Sequence, residues 1–135
     1  MTILVAGDNE HKQITPTSDR VIDQVSPTVT DFSDVVSYSV YKHFAVIVLN
    51  SGIPCAIGDN TNWPIHSSLP RYVRNWTSYT LTDDENREYF IESAVCGLSY
   101  TLYKLRLKDE GSESRLALVY KGKMKGLPVF LNTGN

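Results

Sequence analysis

The sequence predicts an all-β fold, a partial β-propeller made of about two blade-like repeats of antiparallel strands. Two observations support this prediction. Apolar and β-branched residues come in short runs bounded by turn residues, and one tripeptide recurs further along the chain. A third observation agrees with them, because no segment keeps apolar residues at i, i+3 and i+4 next to a helix cap. At 135 residues the chain has the length of one domain.

The repeat is marked by Gly7-Asp8-Asn9, which returns as Gly58-Asp59-Asn60, 51 residues later. Each copy ends an apolar stretch, at 3–9 and at 53–60, and 127–135 is expected to be a third, degenerate mark. The same offset relates three further pairs: Ile14 and Ile65, Arg20 and Arg71, Ile22 and Val73. Glycine can adopt positive φ, and Asp and Asn side chains bond nearby amides, so we expect these six residues to be structural turn residues rather than ligands.

The segments between these marks are expected to contain the strands. In the first period we expect strands at 35–40, 44–49 and 53–57, with Asn50-Ser51-Gly52 as the turn of a buried hairpin. In the second period 92–107 supplies the equivalent strands, the second of them centred on 99–103, and 127–131 is the expected return strand. The first period lacks a counterpart of 106–126, which we expect to be an inserted, protruding hairpin.

This arrangement resembles the repeat of the regulator of chromosome condensation family, referred to below as RCC1-like. The best match is at 40–60, where His43-Phe44-Ala45 begins one strand, Gly52 makes the turn and Ala56-Ile57-Gly58-Asp59-Asn60 ends the next. The family's Gly-Gln-Leu-Gly is replaced by Lys12-Gln13-Ile14-Thr15 and by Trp63-Pro64-Ile65-His66. The resemblance implies a propeller, complete members of which have seven blades. Some members are nucleotide exchange factors for a small nuclear GTPase and many are interaction platforms, but no exchange residue carries over.

Two repeats cannot close a propeller, and an open propeller exposes strand edges. We therefore expect either a fragment or a shortened gene product, or a chain that assembles with copies of itself or with another chain to cover the open edges. Of these we favour the shortened product.

The composition excludes several classes of protein. A net charge of −2 does not favour nucleic acid as a partner, and no apolar run is long enough to cross a bilayer. The N-terminus lacks the basic start and apolar stretch of a signal peptide, which suggests a cytoplasmic or nuclear protein. Cys55 and Cys96 lie in apolar strands and are expected to be reduced core thiols.

The sequence contains no recognisable catalytic constellation. The three histidines are not spaced as metal ligands, Gly-x-Ser-x-Gly is absent, and neither phosphate-loop motif occurs. We therefore predict no catalytic residue, no metal and no cofactor. A thiol- or metal-dependent hydrolase is the enzyme alternative, and no set of residues supports it.

We expect a non-catalytic protein-interaction or scaffolding module, with guanine nucleotide exchange on a small GTPase as the alternative. The partner is predicted to be a protein. Its candidate contacts are aromatic residues of the inter-blade stretch and the basic cluster near the C-terminus: Trp63, Tyr72, Trp76 and Tyr79, with Lys121, Lys123 and Lys125. Packing between blades is the structural alternative for the aromatics, and a solvated hairpin tip is the alternative for the lysines.

Overall fold

The computed structural model describes residues 4–8, 21–27, 34–108, 113–121 and 123–126. All regular secondary structure in these ranges is β-strand, which confirms the predicted fold class. Ten strands lie there: β1 (Leu4–Asp8), β2 (Val21–Pro27), β3 (Val35–Tyr41), β4 (Phe44–Leu49), β5 (Pro54–Asp59), β6 (Tyr72–Ser78), β7 (Tyr89–Gly97), β8 (Tyr100–Leu107), β9 (Arg115–Tyr120) and β10 (Lys123–Gly126). None of the described residues forms a helix that could span a membrane.

The strands form three antiparallel sheets. Strands β3, β4, β5 and β6 pair in chain order as one four-stranded sheet, the first blade, and β7, β8, β9 and β10 do the same in the second blade. Strands β1 and β2 form a two-stranded sheet. A four-stranded antiparallel meander is the unit from which propellers are built.

The first hairpins of the two blades pair in the same register. Tyr41 lies opposite Phe44 in the first blade, and Gly97 lies opposite Tyr100, 56 residues later, in the second. Every pair of the β3–β4 hairpin has a counterpart in the β7–β8 hairpin at this offset, and both hairpins carry their irregularity at the same point, after Val35 and after Ile91. The two blades are therefore repeats of one structural unit.

The two-stranded sheet repeats the second half of a blade. Gly7 pairs with Ile22 in the β1–β2 sheet. Gly58 pairs with Val73 in the first blade, so both partners are shifted by the 51 residues of the sequence repeat. The irregularity just before each glycine is also in the same place. Strands β1 and β2 thus have the pairing of the third and fourth strands of a blade.

The second blade ends differently from the first. Tyr120 lies opposite Tyr100, in the place where Gly58 lies opposite Phe44, so β9 is the third strand of the second blade. The segment 106–126 was expected to protrude, but β9 pairs with β8 and continues the sheet because its buried Ala117 and Val119 complete the core face. The expected return strand at 127–131 and the third mark at 127–135 lie outside the described residues.

The main core lies between the two blades. Alternate residues of each strand point to opposite faces of a sheet, and one face of each blade contributes to the same buried cluster. The first blade supplies Phe44, Val46, Val48, Ala56 and Val73, and the second supplies Ala94, Tyr103, Leu105, Ala117 and Val119. The other face of the first blade buries a smaller cluster of Val35, Ile47 and Cys55, with Trp76 packed against it.

Serine side chains join the first strands of the two blades. The amide of Cys96 donates to the Ser39 hydroxyl at 2.9 Å, and the amide of Ala94 donates to the Ser37 hydroxyl at 3.4 Å. These amides belong to β7, an edge strand of its sheet. The serines therefore satisfy backbone groups that an edge strand would otherwise expose, and they hold β7 beside β3.

Candidate partner-binding surface

Four connections lie at the same end of the two blades, and we call this end the turn end. They are the turns 42–43 and 98–99, the turn at Lys121 and the loop 60–71, each of which joins two antiparallel neighbours. A cavity of about 60 Å³ is lined by residues in or next to three of them: Tyr41 and His43, Asp59 and Thr61, and Leu98 and Ser99. The turns of both blades therefore form one continuous surface.

The loop 60–71 is organised around the buried side chain of Asn60. Its amide nitrogen donates to the carbonyl oxygens of His66 at 2.9 Å, Pro70 at 3.3 Å and Leu69 at 3.5 Å. Its amide oxygen accepts a hydrogen bond from the Ile65 amide at 3.0 Å. A fully buried polar group is stable only when it is hydrogen-bonded in this way. Asn60 therefore fixes the path of the whole loop.

The other two residues of the repeat mark support the same loop. The Asp59 carboxylate accepts a hydrogen bond from the Thr61 amide at 2.8 Å. Gly58 has φ of +116°, and a Cβ atom there would lie 2.4 Å from the carbonyl oxygen of His43. Only glycine fits this backbone conformation and this approach of β4. In the first mark, Gly7 and Asp8 lie in β1, whereas Asn9 falls outside the described residues.

The loop also packs against the second blade. The Thr101 hydroxyl donates to the Pro64 carbonyl at 2.8 Å, and Thr101 is fully buried. Ile65 is likewise fully buried in the inter-blade core. The loop is thus held from two sides, by Asn60 at its start and by the second blade beneath it.

Two of the predicted aromatic contacts, Trp63 and Tyr72, are exposed at the turn end. Trp63 is 38% exposed and Tyr72 is 53% exposed. The guanidinium of Arg71 lies 5.8 Å from the centre of the Tyr72 ring. At the second blade the ammonium of Lys121 lies 5.4 Å from the ring of Tyr120, which is also exposed. The turn end therefore presents aromatic rings with cations beside them.

The other predicted contacts lie elsewhere. Tyr79 is buried in the inter-blade core, where its hydroxyl lies 2.5 Å from that of Tyr103, so its ring is not available to a partner. Trp76 is half-buried against Tyr38, at 6.4 Å between ring centres. For these two aromatics the structure favours the packing role. The side chains of Lys123 and Lys125 lie outside the part of the chain that the structure describes.

Sequence reasoning missed Tyr41 and Leu98, which are exposed at the same end of the strands as Trp63. Tyr41 comes just before the two-residue turn 42–43, and Leu98 is the first residue of the two-residue turn 98–99. The sequence does show a large apolar residue at each of these turns. It does not show that the turns lie at the same end, which follows only when the strand directions are assigned.

Several turn-end residues adopt positive φ although they are not glycine. Ser99 has φ of 66°, Trp63 of 59° and Lys121 of 51°. L-residues other than Asn and Asp rarely adopt this conformation. Such conformations cluster at functional sites, where the surrounding structure holds them.

The reactive side chains of the described region are not poised for nucleophilic attack. Burial raises the pKa of Cys55 to about 11 and that of Cys96 to about 12, so both remain thiols near neutral pH. Both are buried, as predicted, and neither forms a disulfide in the described part of the chain. Burial lowers the pKa of His66, and the Nδ1 atom of His66 accepts a hydrogen bond from the Ser68 amide at 3.1 Å. This pairing shapes the loop locally.

The described cavities are small. The cavity at the turn end has about 60 Å³, and a cleft at the opposite end of the strands, lined by Pro54, Tyr79, Tyr89 and Lys108 among others, has about 200 Å³. Pockets that enclose a small-molecule ligand are usually larger, from about 300 Å³ upwards. Among the described residues, no three His, Cys, Asp or Glu side chains are grouped to hold a metal ion. The exposed surface of the turn end is therefore a better candidate for a binding site than either cavity.

Comparisons with known proteins give the fold but no family. No protein-family model matches the sequence, and no curated protein matches it. Among solved structures, the crystal structure of human WBSCR16 matches with a TM-score of 0.65 over 94% of this chain, at 14% sequence identity. The chain spans about a third of that protein's chain, with 34% covered.

WBSCR16 has an RCC1-like fold. The match at 14% identity concerns the fold alone, and it agrees with the two blades and with their repeated registers. The chain is thus a partial β-propeller, as the sequence predicted. The activity and partners of a whole propeller do not follow from this match.

Proposed function

We propose that this chain is a non-catalytic protein-interaction or scaffolding module that contacts its partner through the turn end. One observation carries the proposal: four connections from two blades bring exposed large apolar residues together at one end of the strands. The residues are Tyr41, Trp63, Tyr72, Leu98 and Tyr120, with Arg71 beside Tyr72 and Lys121 beside Tyr120. Aromatic residues and arginine are enriched at the centres of protein interfaces.

The rigidity of this surface supports the proposal. Asn60 ties the loop 60–71 together through its side-chain hydrogen bonds, and the Trp63 amide donates to the Asn60 carbonyl at 2.8 Å. A surface that is already ordered loses little conformational entropy when a partner binds. The turn end therefore suits a partner that docks without large rearrangement.

The experiment compares three variants of the full chain as bait for interacting proteins. Trp63→Ala and Tyr72→Ala remove aromatic rings from the turn end. Ile53→Ala is the matched control, because Ile53 is 39% exposed, as Trp63 is 38% exposed, but lies at the opposite end of the strands. Captured proteins are quantified by mass spectrometry, and folding of each variant is checked by circular dichroism.

We expect at least one protein that the wild type and Ile53→Ala capture equally and that both turn-end variants lose by roughly tenfold or more. That loss corresponds to about 1.4 kcal/mol or more of binding free energy. Equal capture by all the folded variants would remove the turn end from consideration as the contact surface.

Nucleotide exchange is tested separately. Nucleotide exchange would need an acidic or wedge-like loop that reaches the phosphate site of the partner. The exposed charged residues named above at the turn end are instead the cations Arg71 and Lys121. We therefore expect nucleotide release from small GTPases to proceed at its intrinsic rate when the chain is added. Faster release that Trp63→Ala abolishes would replace the scaffolding proposal with the exchange activity.

A further inference from the structure

The charged side chains at the turn end are mostly cations. Lys42, Arg71 and Lys121 lie in its turns and loop, and Arg74 follows two residues after the start of β6. All four are exposed. Among the described residues of the four connections and the strand ends that border them, Asp59 is the one carboxylate, and it already accepts a hydrogen bond from a backbone amide. The turn end therefore carries a net positive charge.

The opposite end of the strands carries the other sign. It consists of the turn 50–53, the loop 79–88 and the described residues that border β3, β8 and β9 on that side. Its carboxylates outnumber its cations: Asp34, Asp83, Asp84, Glu85, Glu88 and Glu113 stand against Arg87, Lys108 and Arg115. The net charge of −2 for the whole chain therefore conceals two ends of opposite sign.

The cations of the turn end are available to a partner. The Nε atom of Arg71 donates to the Thr61 hydroxyl at 3.4 Å, and its guanidinium lies 5.8 Å from the centre of the Tyr72 ring. Lys121 lies beside the Tyr120 ring. Among the described residues, neither cation forms an ion pair with a carboxylate. A guanidinium beside a ring keeps most of its N–H donors free for a carboxylate.

The pairs at the opposite end differ in this respect. The Nε atom of Arg87 lies 2.8 Å from the Asp83 carboxylate, and the ammonium of Lys108 lies 3.3 Å from the Glu88 carboxylate. These cations are matched within the chain, whereas those of the turn end are not. The unmatched charge of the turn end is what a partner of opposite sign would complement.

A protein fits this surface better than a nucleic acid does. Affinity for a nucleic acid grows with the number of phosphates that cations neutralise, and the described turn end has few cations. The acidic opposite end also repels a long polyanion. Leu98, which is 61% exposed, and Tyr41 offer apolar surface that the side chains of a protein can cover.

We propose that the turn end recognises an acidic segment of its partner protein. Arg71 and Lys121 pair with carboxylates of that segment, and the exposed apolar residues, Trp63 and Leu98 among them, cover its apolar side chains. The acidic opposite end is repelled by the same segment, so the charge separation turns the correct end toward the partner during encounter. This inference rests on the proposed function, because it names the partner chemistry of the same surface.

The test measures binding of labelled peptides to the full chain by fluorescence anisotropy. The acidic probe is a short peptide of Glu, Leu and Ser, and the neutral probe has Gln in place of each Glu. Arg71→Glu and Lys121→Glu reverse charges at the turn end. Lys108→Glu is the matched control, because it makes the same change of charge at an exposed side chain of the opposite end. Circular dichroism checks that each variant is folded.

We expect wild type and Lys108→Glu to bind the acidic peptide alike, and each turn-end reversal to weaken binding roughly tenfold or more. The neutral peptide should bind more weakly than the acidic one, and the affinity for the acidic peptide should fall as ionic strength rises. Equal binding of the two peptides overturns the proposal. So does an equal loss in Lys108→Glu, which would show that only the net charge of the chain matters.

An oligothymidylate of similar length is the third probe. If it binds the turn end more tightly than the acidic peptide does, the surface is a nucleic-acid contact and the proposal fails. Failure of this inference is distinct from failure of the proposed function. Protein capture that Trp63→Ala abolishes and that Arg71→Glu and Lys121→Glu leave intact would keep the interaction module and overturn the acidic partner. Capture that Trp63→Ala leaves intact counts against the proposed function itself.

Discussion

Asn60 shows how one side chain can define a loop. Its buried amide presents a donor to three carbonyl oxygens and an acceptor to the Ile65 amide. The two ends of the amide group are not interchangeable in this environment. The identity of the residue, and not only its size or polarity, is therefore required for the turn end to form.

We predict that Asn60→Asp destabilises the protein by roughly 3 kcal/mol or more at neutral pH, beyond the loss caused by Asn60→Ala. The substitution turns a carboxylate oxygen toward the carbonyls of His66, Leu69 and Pro70. This environment raises the pKa of the new carboxyl group in the folded state. Its penalty relative to wild type should therefore shrink as the pH falls through that raised pKa.

Urea denaturation at several pH values measures this effect. The difference between wild type and Asn60→Ala should stay nearly constant with pH, whereas that between wild type and Asn60→Asp should fall in acid. A pH-independent penalty for Asn60→Asp would mean that the loop rearranges and exposes the carboxylate to water.

At the scale of the element, the hairpins combine a fixed register with unusual turn residues. The β7–β8 hairpin closes between Gly97 and Tyr100, with Ser99 at a φ of 66°. A serine gains nothing from this conformation, which glycine or asparagine adopts more readily. Local sequence preference therefore does not select this turn. The register of the flanking strands imposes it.

We predict that Ser99→Gly stabilises the protein by roughly 0.5–1 kcal/mol, because glycine relieves the cost of positive φ. Ser99→Asn should stabilise it by less, and Ser99→Ala should give no gain because alanine keeps the strain. The midpoint of urea unfolding reports all three variants. If Ser99→Ala were stabilised as much as Ser99→Gly, loss of the serine side chain would be the cause, and backbone strain would not be.

At the scale of the whole molecule, a polar pair lies inside the core between the blades. The Tyr103 hydroxyl donates to the Ile65 carbonyl at 3.4 Å, and it lies 2.5 Å from the Tyr79 hydroxyl. Since the Tyr103 proton points to Ile65, Tyr79 is the donor within the pair. Burial raises the pKa of both tyrosines well above the ordinary value, so both stay protonated. This chain of hydrogen bonds joins the first blade, the second blade and the loop.

We predict that Tyr103→Phe costs about 1–3 kcal/mol, because it removes both the acceptor for Tyr79 and the donor to Ile65. Tyr79→Phe should cost less, since Tyr103 keeps its bond to Ile65. The variant with both changes should cost less than the sum of the two by roughly 0.5 kcal/mol or more. A double-mutant cycle from urea unfolding measures this coupling, and strict additivity would show that the two hydroxyls do not interact.

Much of the fold was predictable because its signals are local. The strand at 44–49 is a run of apolar residues next to a turn, and Gly58-Asp59-Asn60 repeats Gly7-Asp8-Asn9 at an offset that the pairing of β1–β2 and β5–β6 reproduces. Conformational demands such as positive φ at Gly58 depend on the backbone nearby. Such local demands can therefore be predicted from a single sequence.

The candidate surface could be predicted only in part, because exposure depends on what lies opposite each residue. Trp63 and Tyr79 belong to the same aromatic stretch, yet one is exposed and the other is buried beside Tyr103. The repeat pattern also did not reveal the pairing of β9 with β8, since Tyr120 stands at the place that Gly58 has in the first blade. The sequence by itself determined the all-β class, the repeat and the turn glycine, which follow from local backbone preference and apolar pattern. Tertiary structure alone decided which aromatic residues reach the surface and how the second blade ends, because these depend on contacts between residues far apart in the chain.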